Sequence, residues 1–141
     1  MSAEALYVET SALLRVLFRE VPFTELARRI DAAERLATSR LTRIECARAL
    51  RRVARERRAS EGDVAHAGHE LARLLDRVEI VEISAEVADL AERVAPDSAL
   101  RSLDAIHLAS WQLLRRVDPD LALLTADNRL ATAAGIEPTE G

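Results

Sequence analysis

Short, mostly apolar runs alternate along the chain with longer segments in which apolar positions recur every three or four residues. The runs cover residues 5–8, 36–38, 80–83 and 121–124. A short apolar run without strict alternation is typical of a strand that is buried on both faces of a parallel sheet. We therefore predict four parallel strands, and the second of them has the weakest signal.

The segments between these runs have the apolar period and the end signals of helices. Thr10 and Ser11 are the N-cap candidates of the first helix, and Gly135 ends the last one. Residues 136–137 are the candidate for an additional edge strand. We predict helices over residues 10–19, 22–33, 41–58, 60–78, 84–94, 103–117 and 128–134. This alternation predicts an α/β fold with a mainly parallel sheet of about four to five strands flanked by helices.

Length and composition indicate a single soluble globular domain over residues 1–141. The net charge of −4 argues against a globally basic nucleic-acid binder. Apart from histidine, every basic residue is Arg, so the chain lacks the Lys of a P-loop or a Schiff-base enzyme. Its single cysteine, Cys46, cannot form an intramolecular disulfide. No leader or membrane span is recognisable, and we expect a cytoplasmic protein.

Two acidic residues stand where a parallel sheet usually places its functional groups, at the carboxyl ends of strands. Glu9 directly follows the first predicted strand, and Asp127 comes soon after the fourth. Because the carboxyl ends of parallel strands meet at one edge of the sheet, both side chains are predicted to face the same crevice.

Asp104 and Glu45 are further acidic candidates, and each has a simpler explanation. Asp104 lies in the first turn of a largely apolar helix, where the helix dipole alone favours an acid. Glu45 shares a helix face with Arg48, so a plain ion pair is the alternative to a catalytic role. A pocket of all four acids would need a cation, since two carboxylates about 4 Å apart repel by about 4 kcal/mol at an effective dielectric constant near 20. Oxygen ligands without cysteine indicate Mg²⁺ or Mn²⁺.

Four short motifs, in the same order along the chain, resemble those of the PIN domain family. They are residues 7–14 (YVETSALL), 38–45 (TSRLTRIE), 103–109 (LDAIHLA) and 124–130 (LTADNRL). The resemblance extends over almost the whole chain, whose length is that of the VapC-type toxins of this family. It implies a Rossmann-like, PIN-like fold and a metal-dependent endoribonuclease that uses Mg²⁺ or Mn²⁺ to cut RNA. It also implies a homodimer that is held inactive by a cognate antitoxin.

Carried onto this sequence, the resemblance assigns the catalytic acids Glu9, Glu45, Asp104 and Asp127. The expected metal ligands are Glu9, Asp104 and Asp127, with Ser11 and Thr125 as supporting hydroxyls. Most members carry Asp where this chain has Glu9, and the extra methylene moves the carboxylate outward by about 1.5 Å. The alternative is therefore a catalytically weakened protein of the same fold that binds RNA or an antitoxin. A third possibility, an acidic-site phosphatase, would act on small phosphoesters and ignore RNA.

The predicted helix that contains Glu45 also carries a run of arginines that could contact RNA or an acidic partner. The candidates are Arg48, Arg51, Arg52 and Arg55, and the alternative is a solvated helix face. His107 follows Asp104 by one helical turn. It could carry a proton, but we expect a hydrogen-bonded structural role instead.

Overall fold

Strands and helices alternate along the chain in the computed structural model, which describes residues 4–138. The first and last three residues of the predicted domain lie outside the described part. The elements are β1 (Ala5–Val8), α1 (Thr10–Leu17), α2 (Thr24–Ala32), β2 (Arg35–Ser39), α3 (Arg40–Arg55), α4 (Glu61–Arg77), β3 (Val78–Val81), α5 (Ala85–Ala91), α6 (Ser102–Val117), β4 (Ala122–Leu124) and α7 (Asn128–Ala134). None of the helices in residues 4–138 has the length and apolar character needed to cross a membrane.

The four strands form one parallel sheet in the order β3-β2-β1-β4. The chain builds the sheet outward from β1 through β2 to β3, and then returns so that β4 pairs with the other side of β1. The carboxyl ends of β1 and β4 therefore flank the point at which the strand order reverses. Open α/β sheets usually have their ligand crevice at such a point.

Strand β1 is buried on both faces and divides the core into two layers. Leu6 and Val8 pack in one cluster with apolar side chains of α1, α2 and α4. Ala5 and Tyr7 point to the other face, where they pack in a second cluster that includes Trp111 of α6. Successive side chains of a strand point to opposite faces, so the apolar run of β1 is explained by helices on both sides of the sheet.

The predicted edge strand at residues 136–137 is wrong, and the described residues form a sheet of four strands. Gly135 adopts a left-handed conformation with φ of 76° and ends α7, as predicted. The backbone N–H of Ile136 then donates to the carbonyl of Ala131, and its side chain packs against the second core cluster. These contacts cap the helix and leave no extended segment there to pair with the sheet.

The third strand begins earlier than the sequence predicts. Val78, assigned to the end of a helix, pairs instead with Leu36 as the first residue of β3. Its position continues the apolar stripe of α4, so periodicity alone could not separate the two elements. Ile83, assigned to the strand, is 41% exposed and lies beyond it.

Candidate active site

The loops that follow β1 and β4 lie side by side and carry two of the predicted acids, Glu9 and Asp127. Val8 and Leu124 are in register, and the backbone N–H of Glu9 donates to the carbonyl of Leu124 at 2.9 Å. Asp127 caps α7, with Oδ1 accepting from the backbone N–H groups of Arg129 and Leu130. The structure thus brings both predicted residues to one edge of the sheet.

The two predicted supporting hydroxyls connect these loops. Ser11 Oγ lies 3.2 Å from Thr125 Oγ1 and accepts a hydrogen bond from the backbone N–H of Ala126 at 2.9 Å. The backbone N–H of Asp127 donates to Thr125 Oγ1 at 3.0 Å. Ser11 and Thr125 therefore hold the segments of Glu9 and Asp127 in a fixed relation to each other.

Glu9 is the N-cap of α1, and the prediction that Thr10 or Ser11 has this role is wrong. Glu9 Oε2 accepts from the backbone N–H of Ser11 at 2.6 Å and from the hydroxyl of Thr125 at 3.4 Å. The side chain of Glu is long enough to fold back onto its own helix. Thr10 instead turns inward and is 7% exposed.

The carboxylate of Glu9 is costly to ionise in this position. The residue is 4% exposed, and this burial raises the pKa of Glu9 above its ordinary value. The imidazole of His107 and the hydrogen bonds from Ser11 oppose the rise, whereas the negative charge of Asp127 adds to it. A cation beside Glu9 and Asp127 would relieve both the burial cost and the repulsion.

Glu45 points into the protein rather than toward Arg48, so the simple ion-pair alternative is not what the structure has. Its Oε1 accepts a hydrogen bond from the Thr10 hydroxyl at 2.6 Å and lies 2.8 Å from His107 Nε2. Burial alone would raise the pKa of Glu45, but the hydrogen bonds from His107 and Thr10 outweigh it and lower that pKa. Glu45 is therefore held in place and ionised at neutral pH.

His107 is buried in a network of polar side chains, in agreement with the expected structural, hydrogen-bonded role. It is 2% exposed, and its Nδ1 lies 3.0 Å from Tyr7 Oη. Its Nε2 lies 3.2 Å from Thr10 Oγ1, in addition to the contact with Glu45. The Thr10 hydroxyl also contacts Thr42, which is bonded in turn to Thr38. The sequence did not identify Tyr7, Thr10 or Thr42 as site residues, although Tyr7 and Thr10 lie within the first of the four motifs and Thr42 lies within the second.

Asp104 is half-buried in the first turn of α6, one turn before His107. Residues three apart on a helix share a face, so Asp104 lies on the same side of α6 as His107, whose side chain contacts Glu45. The simpler explanation, an acid favoured at a helix N-terminus, applies to this position as well. Its participation in a metal site therefore stays a prediction.

The donor atoms at this edge of the sheet are of the chemical type that a hard divalent cation prefers. They are carboxylate and hydroxyl oxygens, which Mg²⁺ and Mn²⁺ prefer, whereas soft metals prefer thiolates. Within residues 4–138, however, no group of three or more His, Cys, Asp or Glu side chains is arranged so that it could hold a metal ion. Glu9 and Asp127 each use one carboxylate oxygen as a helix cap, and the second oxygen of each takes no part in the cap.

The predicted arginine face leads away from Glu45 along α3. Its four side chains fall within about 100° of the helix circumference and are exposed; they are Arg48, Arg51, Arg52 and Arg55. Arg52 and Arg55 lie in the last turn, where cations also complement the helix dipole. The structure is thus compatible with either expectation, a binding face or a solvated one.

A cavity of about 630 Å³ adjoins α7, the helix that Asp127 caps. It is lined by the loop 95–100 and by α7, including Asn128 and Arg129, the two residues that directly follow Asp127. Leu100 and Ala133 in its wall pack against the second core cluster, so this wall is part of the fixed core. Arg129, which is exposed, therefore lies between this cavity and the residue that caps α7.

Comparison with known proteins gives one consistent result. The profile of the PIN domain matches residues 6–136. The chain is 43% identical over 131 residues to a protein named Ribonuclease VapC35 from Mycobacterium tuberculosis, covering 92% of this chain and 89% of that protein. The crystal structure of PAE2754 from Pyrobaculum aerophilum has a TM-score of 0.66 at 26% identity, covering 97% of this chain and 92% of that one. A toxin-antitoxin complex from Klebsiella pneumoniae has a TM-score of 0.62 at 22% identity, covering 91% and 90%.

Proposed function

Since the chain belongs to the PIN domain family, we propose that it is a metal-dependent endoribonuclease of the VapC toxin type. The relative from Mycobacterium tuberculosis is named a ribonuclease and matches over nearly its whole length. The observation that carries the proposal is the pair of loops that holds Glu9 beside Asp127 at the switch point of the sheet. Two acids held together at such an edge, with a third fixed nearby as Glu45, suit phosphodiester hydrolysis.

The proposed metal ligands are Glu9, Asp104 and Asp127, with Glu45 as the fourth catalytic acid. When bound, Mg²⁺ or Mn²⁺ would lower the pKa of a water molecule and offset the charge that develops on the phosphate. Glu9 Oε2 and Asp127 Oδ1 are used as helix caps, so Glu9 Oε1 and Asp127 Oδ2 are the oxygens we assign to the metal. The hydrogen bonds from Ser11 and Thr125 hold the carboxylate of Glu9, and those from the N–H groups of Arg129 and Leu130 hold that of Asp127.

Glu45 has a different task from the other acids in this proposal. Its Oε1 is occupied by Thr10 and His107, which leaves Oε2 to contact the substrate side of the site. Because its pKa is lowered, Oε2 is unprotonated at neutral pH and can accept a hydrogen bond from the attacking water. The fixed position of Oε1 then orients that hydrogen bond.

The experiment that tests the proposal is cleavage of a pool of randomised oligoribonucleotides by the purified protein. We expect cleavage in Mg²⁺ or Mn²⁺, complete loss in excess EDTA, and recovery when the metal is restored. DNA oligonucleotides of matched length are the control substrate. RNA binding in EDTA without cleavage in metal would favour the weakened, non-catalytic alternative. Hydrolysis of p-nitrophenyl phosphate with intact RNA would favour the phosphatase.

The arginine face is proposed to follow the RNA backbone toward Glu45. Replacing Arg51, Arg52 and Arg55 together by Gln removes three charges but keeps most of each side chain. For single-stranded RNA, the slope of log binding constant against log salt should decrease by about 0.7 for each phosphate that an arginine no longer neutralises. The measurement is RNA affinity in EDTA at several salt concentrations.

A matched control removes three exposed arginines elsewhere, namely Arg73, Arg77 and Arg116. Both variants change the net charge equally, so a long-range effect would alter both slopes alike. If the α3 variant keeps the wild-type slope for RNA and for an antitoxin, the face is only solvated surface. A changed slope for the antitoxin alone would make it a partner-binding face.

We further propose a cognate antitoxin, a homodimer and a cytoplasmic site of action. A ribonuclease that acts in the cell that makes it needs an inhibitor, and one similar structure is a toxin-antitoxin complex. Two exposed apolar side chains, Ile44 at 49% and Leu103 at 50%, support an interface beside the site, because each precedes a proposed catalytic acid. Sedimentation of the purified protein alone and with its antitoxin measures both assemblies.

A further inference from the structure

We infer that His107 is a positioning residue that fixes the carboxylate of Glu45, and that Tyr7 in turn fixes the ring of His107. The inference rests on the proposed function, since it assigns to these two buried side chains a role in the site that contains Glu45. Neither side chain is proposed to touch RNA or metal. Their effect is exerted through Glu45 alone.

The hydrogen-bond partners determine which ring nitrogen carries the proton. An ionised carboxylate can only accept, so the 2.8 Å contact requires a proton on Nε2 of His107, donated to Glu45 Oε1. In the neutral ring Nδ1 is then an acceptor, and the hydroxyl of Tyr7 at 3.0 Å is its donor. Tyr7 thereby selects the tautomer that presents N–H to Glu45.

The same contacts connect the elements that carry the proposed acids. Tyr7 lies in β1, two residues before Glu9, and His107 lies in α6, one turn after Asp104. Glu45 lies in α3, so one buried imidazole joins α3 to α6 and β1. Thr10 contacts both the ring and Glu45, which leaves Oε1 little freedom to rotate. Removal of a group that orients a metal ligand typically costs about 10- to 100-fold in metal affinity or activity, and we expect a loss of activity of similar size for a catalytic acid that is no longer oriented.

Two substitutions at position 107 separate positioning from packing. The side-chain amide nitrogen of Gln reaches the place of Nε2, whereas that of Asn reaches only the place of Nδ1. His107→Gln therefore retains a donor to Glu45, and His107→Asn does not. We expect about a 10- to 100-fold loss of RNA cleavage at saturating Mn²⁺ for His107→Asn. His107→Gln should stay within a few-fold of the wild type.

The readouts are RNA cleavage at saturating Mn²⁺, Mn²⁺ titration calorimetry to set that concentration, and thermal unfolding of the metal-free protein. A purely structural role predicts that both variants lose cleavage activity in proportion to their loss of stability. Equal cleavage rates in the Asn and Gln variants would therefore overturn the inference. If the substitutions at 107 prevent folding, Tyr7→Phe gives the same test, because it removes only the hydroxyl that orients the ring. It should lower RNA cleavage at saturating Mn²⁺ several-fold, and an unchanged cleavage rate would contradict the role of Tyr7.

A crystal structure of each metal-free variant separates this inference from the proposed function. If the wild type neither binds Mn²⁺ nor cleaves RNA, the proposed function fails. The position of the Glu45 carboxylate then decides the inference by itself. We expect the wild-type position in His107→Gln and a displaced carboxylate in His107→Asn. The wild-type position in both variants would show that His107 does not hold Glu45.

Discussion

Asp104→Asn is expected to lower the rate of RNA cleavage by at least about a hundredfold, the upper end of what even an outer-shell partner of a metal costs. The substitution keeps the size and shape of the side chain but removes the negative charge that we assign to the metal. Mn²⁺ affinity should fall with the cleavage rate. Without metal, the free energy of unfolding should hold or rise, because repulsion among the acids decreases. Cleavage assays, Mn²⁺ titration and thermal unfolding measure the three effects.

The matched control for this prediction is Asp63→Asn. Asp63 is also an acid in the first turn of a long helix, but it lies in α4, where it is exposed. Both substitutions remove a favourable interaction with a helix dipole, worth about 0.3–1 kcal/mol. Only Asp104→Asn should affect cleavage. If Asp104→Asn keeps the cleavage rate and the Mn²⁺ affinity of the wild type, Asp104 is not a metal ligand. Its position is then explained by the helix dipole alone.

The architecture of the protein could be predicted from the sequence because its central strand is buried on both faces. Residues 5–8 lack a polar position that would suggest an exposed face, and this indicated helices on both sides of the sheet. The errors lie where two patterns overlap. Val78 satisfies the period of α4 as well as the run of β3, and pairing with Leu36 decides between them. Ile136 is apolar, as in a strand, but its backbone N–H donates to the carbonyl of Ala131 and so caps α7 instead of pairing with the sheet.

The candidate site could be predicted in part for the same reason. Glu9 and Asp127 follow from the rule that parallel strands end at one edge, which needs no knowledge of distant contacts. The partners of Glu45 could not be found in this way. His107 is 62 residues from Glu45, and Tyr7 is 100 residues from His107. Local spacing instead favoured Arg48 as the partner of Glu45, because a helix pattern contains only neighbours on the same helix.

Glu9→Gln is expected to lower Mn²⁺ affinity about tenfold or more and to reduce RNA cleavage with it. The amide oxygen of Gln can still accept from the N–H of Ser11, so the cap of α1 is kept while the charge is removed. Glu9→Asp tests the length of the side chain. In the wild type Glu9 Oε2 lies between Ser11 and Thr125, and its distance to Thr125 Oγ1 is 3.4 Å. We expect that the shorter side chain of Asp does not reach Thr125. The Glu9→Asp variant should therefore cleave RNA several-fold more slowly.

The pH dependence of stability gives a second, metal-free test of Glu9. Its pKa in the folded protein is above that in the unfolded chain, so the wild type loses stability as pH rises from the unfolded toward the folded pKa. Glu9→Gln has no such loss. In EDTA it should therefore be more stable than the wild type at neutral pH. The difference should disappear below about pH 4, where the wild-type carboxyl is protonated in both states.

RNA cleavage by the two Glu9 variants distinguishes an active enzyme from the catalytically weakened protein of the same fold. Faster cleavage by Glu9→Asp than by the wild type would mean that the longer side chain has impaired the site, as the alternative holds. Slower cleavage by both variants means that the site is built around Glu9, with Ser11 and Thr125 positioning its carboxylate. Identical Mn²⁺ affinity and identical cleavage in the wild type, Glu9→Asp and Glu9→Gln would remove Glu9 from the site. The pairing of β1 with β4 would then carry no functional meaning, because it is Glu9 that this pairing brings to Asp127.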